Sequence, residues 1–114
     1  MDFQTQQCRY LLASVINLAV ADACQHPGRD RPSTDALTAM RFLFDESVSG
    51  LAEYAELLDI NPGQFRSRLL KTMKVTGVGE INGFTESQRM HFMKNFRFWQ
   101  KNPINFEELA DVDD

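Results

Sequence analysis

The sequence predicts an all-α fold, a compact bundle of about five helices. Two observations carry that reading. Apolar residues recur every three or four positions in several separate stretches. Each stretch is bounded by side chains that cap a helix, or by Pro and Gly that stop one.

Between Gln7 and Gln25, a broad apolar stripe of Cys8, Leu11, Leu12, Val15, Ile16, Ala19, Val20 and Ala23 predicts a first helix with one face well buried. Pro27, Gly28 and Pro32 end it and supply a loop. Ser33 or Thr34 offers an N-cap to a second helix with Ala36, Leu37, Met40, Leu43 and Phe44 on its inner face, ending near Asp45. After a break at ESVSG, Ser49 is placed to cap a short third helix that turns Leu51, Tyr54, Ala55 and Leu58 inward. Asn61, Pro62 and Gln64 occupy the N-cap, first and third positions of a capping box, so a fourth helix begins at Pro62 and runs to about Lys74. Lys71 and Lys74 in its last turn complement the negative end of the helix dipole.

The glycine-rich stretch 75–84 contains Asn82-Gly83, a pair that favours positive φ, and reads as a loop or a small hairpin. Its spacing fits neither of the phosphate-cradling glycine motifs, and a helix precedes it where those motifs need a strand. Thr85 and Gln88 form a second capping box. The fifth helix that follows carries Met90, Phe92, Met93, Phe96 and Trp99 and stops before Asn102-Pro103. Residues 1–106 are expected to form one helical domain and 107–114 an acidic, mobile tail, with one more cap-like start at Asn105.

The composition, 43% hydrophobic and 25% charged, is that of a globular chain. Its most apolar run, Leu11 to Ala21, is interrupted by Ser14 and Asn17 and falls well short of the roughly 20 apolar residues a bilayer crossing needs. The first residues, MDFQTQQCRY, lack the basic start and apolar block of a secretory signal, so a cytoplasmic location is expected. Cys8 and Cys24 lie about 160° apart around one helix and are expected to be buried free thiols. There is no CxxC and no HxxxH, and His26 and His91 are distant in sequence, so neither a metal site nor a cofactor is predicted. Asp22 and His26 are one helical turn apart, but Cys24 between them projects from a different face, and no nucleophile elbow is present. The chain reads as a non-enzyme.

Charge is segregated. Residues 1–60 hold four basic and nine acidic side chains (net −5), residues 61–101 hold eight basic and two acidic ones (net +6), and the last 13 residues add five acids. The overall −4 therefore conceals a basic segment of the kind that meets phosphate. On the fourth helix, Phe65, Leu69 and Met73 lie together, while Gln64, Ser67, Arg68, Lys71 and Lys74 fan across the other side without an acid among them. Gln64, Ser67 and Arg68 suit contact with base edges; Lys71, Lys74, Lys94 and Arg97 suit phosphates. Arg66, at the edge of the buried face, is expected to pair with an acid of the N-terminal half, such as Glu53 or Glu56. In FRFWQK, Trp99 continues the Phe92/Phe96 packing stripe and Phe98 falls off it, making Phe98 and Trp99 candidates for a protein interface.

The stretch LAEYAELLDINPGQFRSRLL, Leu51 to Leu70, resembles a helix-turn-helix, with Ala55 inside the first helix, Leu58 before the turn, Ile60 within it, and Phe65 and Leu69 anchoring the second. Many members of that class carry glycine where this chain has Asp59, a residue able to adopt the left-handed conformation at some cost. A longer stretch from Ala19 to Leu70, most specifically YAELLDINPGQFR, is similar to small helical proteins encoded in phages and prophages. That resemblance implies a bacterial host cell and no catalytic residue. The expected function is a DNA-binding regulator acting on double-stranded DNA through the helix beginning at Pro62, as a homodimer. The alternative is an adaptor or inhibitor that binds a host or phage protein through acidic or aromatic surfaces.

Overall fold

The computed structural model describes residues 3–48 and 50–102, with side chains from Gln6 onward. Five helices follow one another: α1 (Phe3–Ala23), α2 (Thr34–Phe44), α3 (Leu51–Leu57), α4 (Pro62–Met73) and α5 (Glu86–Lys101). Among the described residues there is no strand, only one antiparallel bridge between Ile81 and Phe84.

Three of the helices, α2, α4 and α5, begin where a side chain satisfies an orphan N–H group. Ser33 accepts from the Ala36 N–H, and Asn61 accepts from the Gln64 N–H behind Pro62. Thr85 accepts from the Gln88 N–H while the Gln88 side chain accepts from the Thr85 N–H, a complete capping box. The α3 start has no side-chain cap: Gly50 occupies the N-cap, and a Cβ there would sit 2.7 Å from the Phe42 carbonyl oxygen, so only glycine allows the chain so close to α2. Ser49 lies outside the described residues, as do Asn105 and the acidic tail.

The main core gathers Val20 and Ala23 of α1, Ala39, Met40 and Leu43 of α2, Leu69 and Met73 of α4, and Phe92, Met93 and Phe96 of α5. Phe44 packs against this core, its ring 4.7 Å from that of Phe96 and 6.3 Å from that of Trp99. A smaller cluster joins Ile16 of α1 to Leu51 and Leu58, with Leu12, Phe42, Tyr54 and Phe65 around it. These clusters hold α4 by its Phe65, Leu69 and Met73 side and leave its other side in water.

The first helix departs from the expectation of one stripe facing inward. Ile16, Val20 and Ala23 are buried, whereas Leu11, Val15 and Leu18 are exposed. A helix that is apolar nearly all round gives no sequence signal for which side faces the core. Cys8 is likewise exposed rather than buried, and only Cys24 is a buried thiol.

The α3–α4 turn ends α3 with two bonds, from the Ile60 N–H to the Ala55 carbonyl (2.8 Å) and from the Asp59 N–H to the Glu56 carbonyl (3.2 Å). This is a Schellman ending, and Asp59 takes its left-handed position with φ 60°. Its side chain is exposed, so a glycine there relieves strain without removing a buried contact. Asp59→Gly is expected to stabilise the protein by about 1 kcal/mol in a urea titration. A loss of stability would mean that the carboxylate holds a contact worth more than the strain.

Candidate nucleic-acid interface

Along α4, Gln64, Ser67, Arg68, Lys71 and Lys74 are all exposed. They recur at helical spacing, so they form one strip running from the capped N-terminus to the C-cap at Lys74. No acidic residue occurs between Asn61 and Gly79. The strip is therefore polar at its start and cationic at its end.

At Lys74 the strip meets α5. Lys74, Lys94 and Arg97 line a groove of about 210 Å³ whose apolar wall includes Met73, Met90 and Met93. Residues that lie 20 or more positions apart in sequence are thus brought together, and all three cations are exposed. The alkyl stems of Lys and Arg can lie on the methionine wall while their charges stay in water, which keeps those charges in place at low desolvation cost.

Two of the eight cations between 61 and 101 serve the fold instead. Arg66 donates from Nε to the Leu43 carbonyl at 2.7 Å and approaches Glu46 Oε1 at 3.6 Å. The acid is one of the N-terminal half, as expected, but it is Glu46 in the loop after α2 rather than Glu53 or Glu56, and the shorter contact is to the C-terminal end of α2 itself. The reason is that the last carbonyls of a helix lack intrahelical donors and attract a guanidinium. Arg66 so fixes α4 against α2.

Arg89 is completely buried. Its guanidinium donates to three carbonyls, those of Val75 at 3.1 Å, Val78 at 3.0 Å and Phe84 at 2.6 Å. The Glu86 carboxylate accepts the Gly77 N–H at 2.8 Å from the same loop. Asn82 (φ 51°) and Gly83 (φ 86°) make the tight turn expected of that pair. The glycine-rich stretch thus turns three of its carbonyls toward a cation held by α5, the reverse of the inward N–H groups that a phosphate cradle needs. The sequence carries no local sign of this role for Arg89.

Six cations remain free for a surface role: Arg68, Lys71, Lys74, Lys94, Arg97 and Lys101, all exposed. In contrast, Phe98 and Trp99 are both half-buried, and Trp99 stacks on Phe96 at 6.3 Å. The large exposed apolar side chains lie elsewhere, above all Tyr10, Leu11 and Leu18.

Near the end of α1, the titratable side chains make local contacts. The Asp22 carboxylate accepts from the Gln25 amide, and His26 Nδ1 pairs with the Pro27 carbonyl at 2.7 Å. His26 meets His91 edge to face at 4.8 Å, a contact not visible from their separation in sequence. No group of three or more metal-binding side chains occurs among the described residues. Burial pushes the Cys24 thiol up to about 11, so it resists forming a thiolate. With the folded pKa raised, the neutral thiol's contribution to stability is present below the ordinary value of 9.0 and is lost as pH rises toward 11. A thiol reagent at neutral pH should accordingly leave Cys24 unlabelled in the native chain and label it after denaturation. Rapid labelling of Cys24 in the native protein would contradict its burial.

Fold and surface together define a small all-α protein with an open, acid-free cationic strip on its fourth helix. No helix among the described residues is long and apolar enough to cross a membrane. A scan against protein-family models finds no match, and searches of curated proteins and of solved structures likewise match nothing.

Proposed function

We propose that this protein is a DNA-binding regulator of the phage or prophage type that meets duplex DNA through α4, with α3 and α4 acting as a helix-turn-helix. One observation carries the reading: the exposed strip Gln64–Ser67–Arg68–Lys71–Lys74 continues without an acid into the Lys74–Lys94–Arg97 groove. The Schellman turn at Asp59 and the capped start at Asn61 support it, because both fix the angle at which α4 leaves α3. Gln64, Ser67 and Arg68 lie near the helix start, where side chains reach base edges, and Lys71, Lys74, Lys94 and Arg97 face the phosphate backbone. The protein acts as a homodimer in this reading.

The test is binding to a mixed-sequence duplex by fluorescence anisotropy, at about 50 mM and about 200 mM salt. With four to five phosphates neutralised, affinity should fall by roughly 200-fold or more across that range. Absence of binding at the lower salt would overturn the proposal. The competing reading is an adaptor or inhibitor acting through acidic or aromatic surfaces, and its aromatic form has less support because Phe98 and Trp99 are half-buried.

A further inference from the structure

The exposed side of α1 has features that an ordinary solvated helix lacks. Tyr10, Leu11 and Leu18 are 74%, 63% and 62% exposed, and Val15 is 39% exposed. From Gln6 to Ala21 the only charged residue is Arg9, whose guanidinium is half-buried and donates to the Leu58 carbonyl at 3.1 Å. The outward surface of more than four helical turns is thus almost free of charge. Cys8, Leu11, Val15, Leu18 and Asp22 follow one another at steps of three, four, three and four, the spacing of a seam between two paired helices. Beside that seam, Val15, Leu18 and Ala19 form a shallow groove with Ala39 and Phe42 of α2, edged by Asp22 and Asp35.

We infer that this face is the contact with a second copy of the same chain, α1 packing antiparallel on α1 about a twofold axis near Val15. Leu11 of one copy then lies beside Leu18 of the other. Three arguments select a second copy as occupant. A seam whose one charged residue, Asp22, stands at its end can meet itself about an antiparallel twofold without bringing like charges together. At the ordinary size of these side chains, the exposures of Leu11, Val15 and Leu18 amount to roughly 300 Å² per chain, so these six side chains hide about 600 Å² in a twofold pair, and the rest of the about 1,000 Å² that a specific interface needs comes from exposed neighbours such as Gln7 and Tyr10. The antiparallel direction follows from Asp22, which closes the seam at its C-terminal end and would face its own carboxylate in a parallel pair.

The inference stands apart from the DNA reading and is tested without DNA. Light scattering after gel filtration should give wild-type protein a mass twice the 13.1 kDa of one chain. Leu11→Glu/Leu18→Glu should give the single-chain mass with unchanged helical circular dichroism, since both side chains already face water. A wild-type monomer, as when the chain's own remaining residues cover the face, overturns the inference, and so does a dimer that persists in the double variant. Independently of those substitutions, Asp22→Cys should form an intermolecular disulfide with Cys8 on mild oxidation, lost when Cys8→Ser is added. Failure to form that crosslink overturns the antiparallel arrangement.

Discussion

Arg89→Met is expected to destabilise the protein by about 3 kcal/mol, lowering its melting temperature by roughly 10–20 °C. Methionine keeps much of the volume but none of the donors, so the carbonyls of Val75, Val78 and Phe84 lose the cation that organises them. Each such charge-assisted bond is worth more than a neutral one, yet the total stays well below their sum because the loop is exposed and water can replace part of the loss. Arg89→Lys should recover only a minor part, since a single ammonium cannot hold three directions with the geometry of a planar fork. Amide exchange should rise selectively over residues 75–84. A Met variant within 1 kcal/mol of wild type would show that the loop keeps its shape without the guanidinium.

Replacing Lys71 and Lys74 together by Ala should weaken duplex binding by roughly 60-fold at about 0.1 M salt and reduce the salt slope by nearly two, the result for two phosphate contacts removed. Both side chains are exposed and Lys71 makes no tertiary bond, so thermal stability should change by less than about 1 kcal/mol. Arg68→Ala should differ in kind. If its guanidinium reads a base, the loss is largest on the preferred sequence and discrimination between sequences narrows. Affinity unchanged in the Lys variant would exclude the α4 strip as the contact surface, whatever the protein binds elsewhere.

What the sequence made legible was local. The caps at Ser33, Asn61 and Thr85 and the Asn82-Gly83 turn depend on partners three residues away or fewer, and all four are formed. The α4 strip was legible for a similar reason, because helical periodicity alone separates Phe65, Leu69 and Met73 from Arg68, Lys71 and Lys74. Interactions that join distant segments were not. Arg66 reaches a carbonyl 23 residues away, and Asn95 uses its amide to bond the Ala23 and Gln25 carbonyls, about 70 residues away, closing the end of α1 against α5. Arginine and asparagine look alike whether they face water or a helix end, so composition gives no sign of such roles. For α1 the difficulty was one of phase: with apolar residues on nearly every side, Leu11 and Ile16 are equivalent in the sequence and opposite in the structure.

The grip of Arg89 also separates what can vary from what is held. The guanidinium contacts backbone oxygens only, and a Cβ added at Gly79 would meet open space. Apart from Gly77, fixed by its φ of 77°, side chains around residues 76–80 can therefore drift in size and charge while the span between α4 and α5 keeps its path. Lys74, before that span, and Lys94 and Arg97, beyond it, would keep their register through such changes. The loop offers a place to retune the surface beside the groove, by adding or removing charge next to a fixed triad of cations, without rebuilding the helices that carry them.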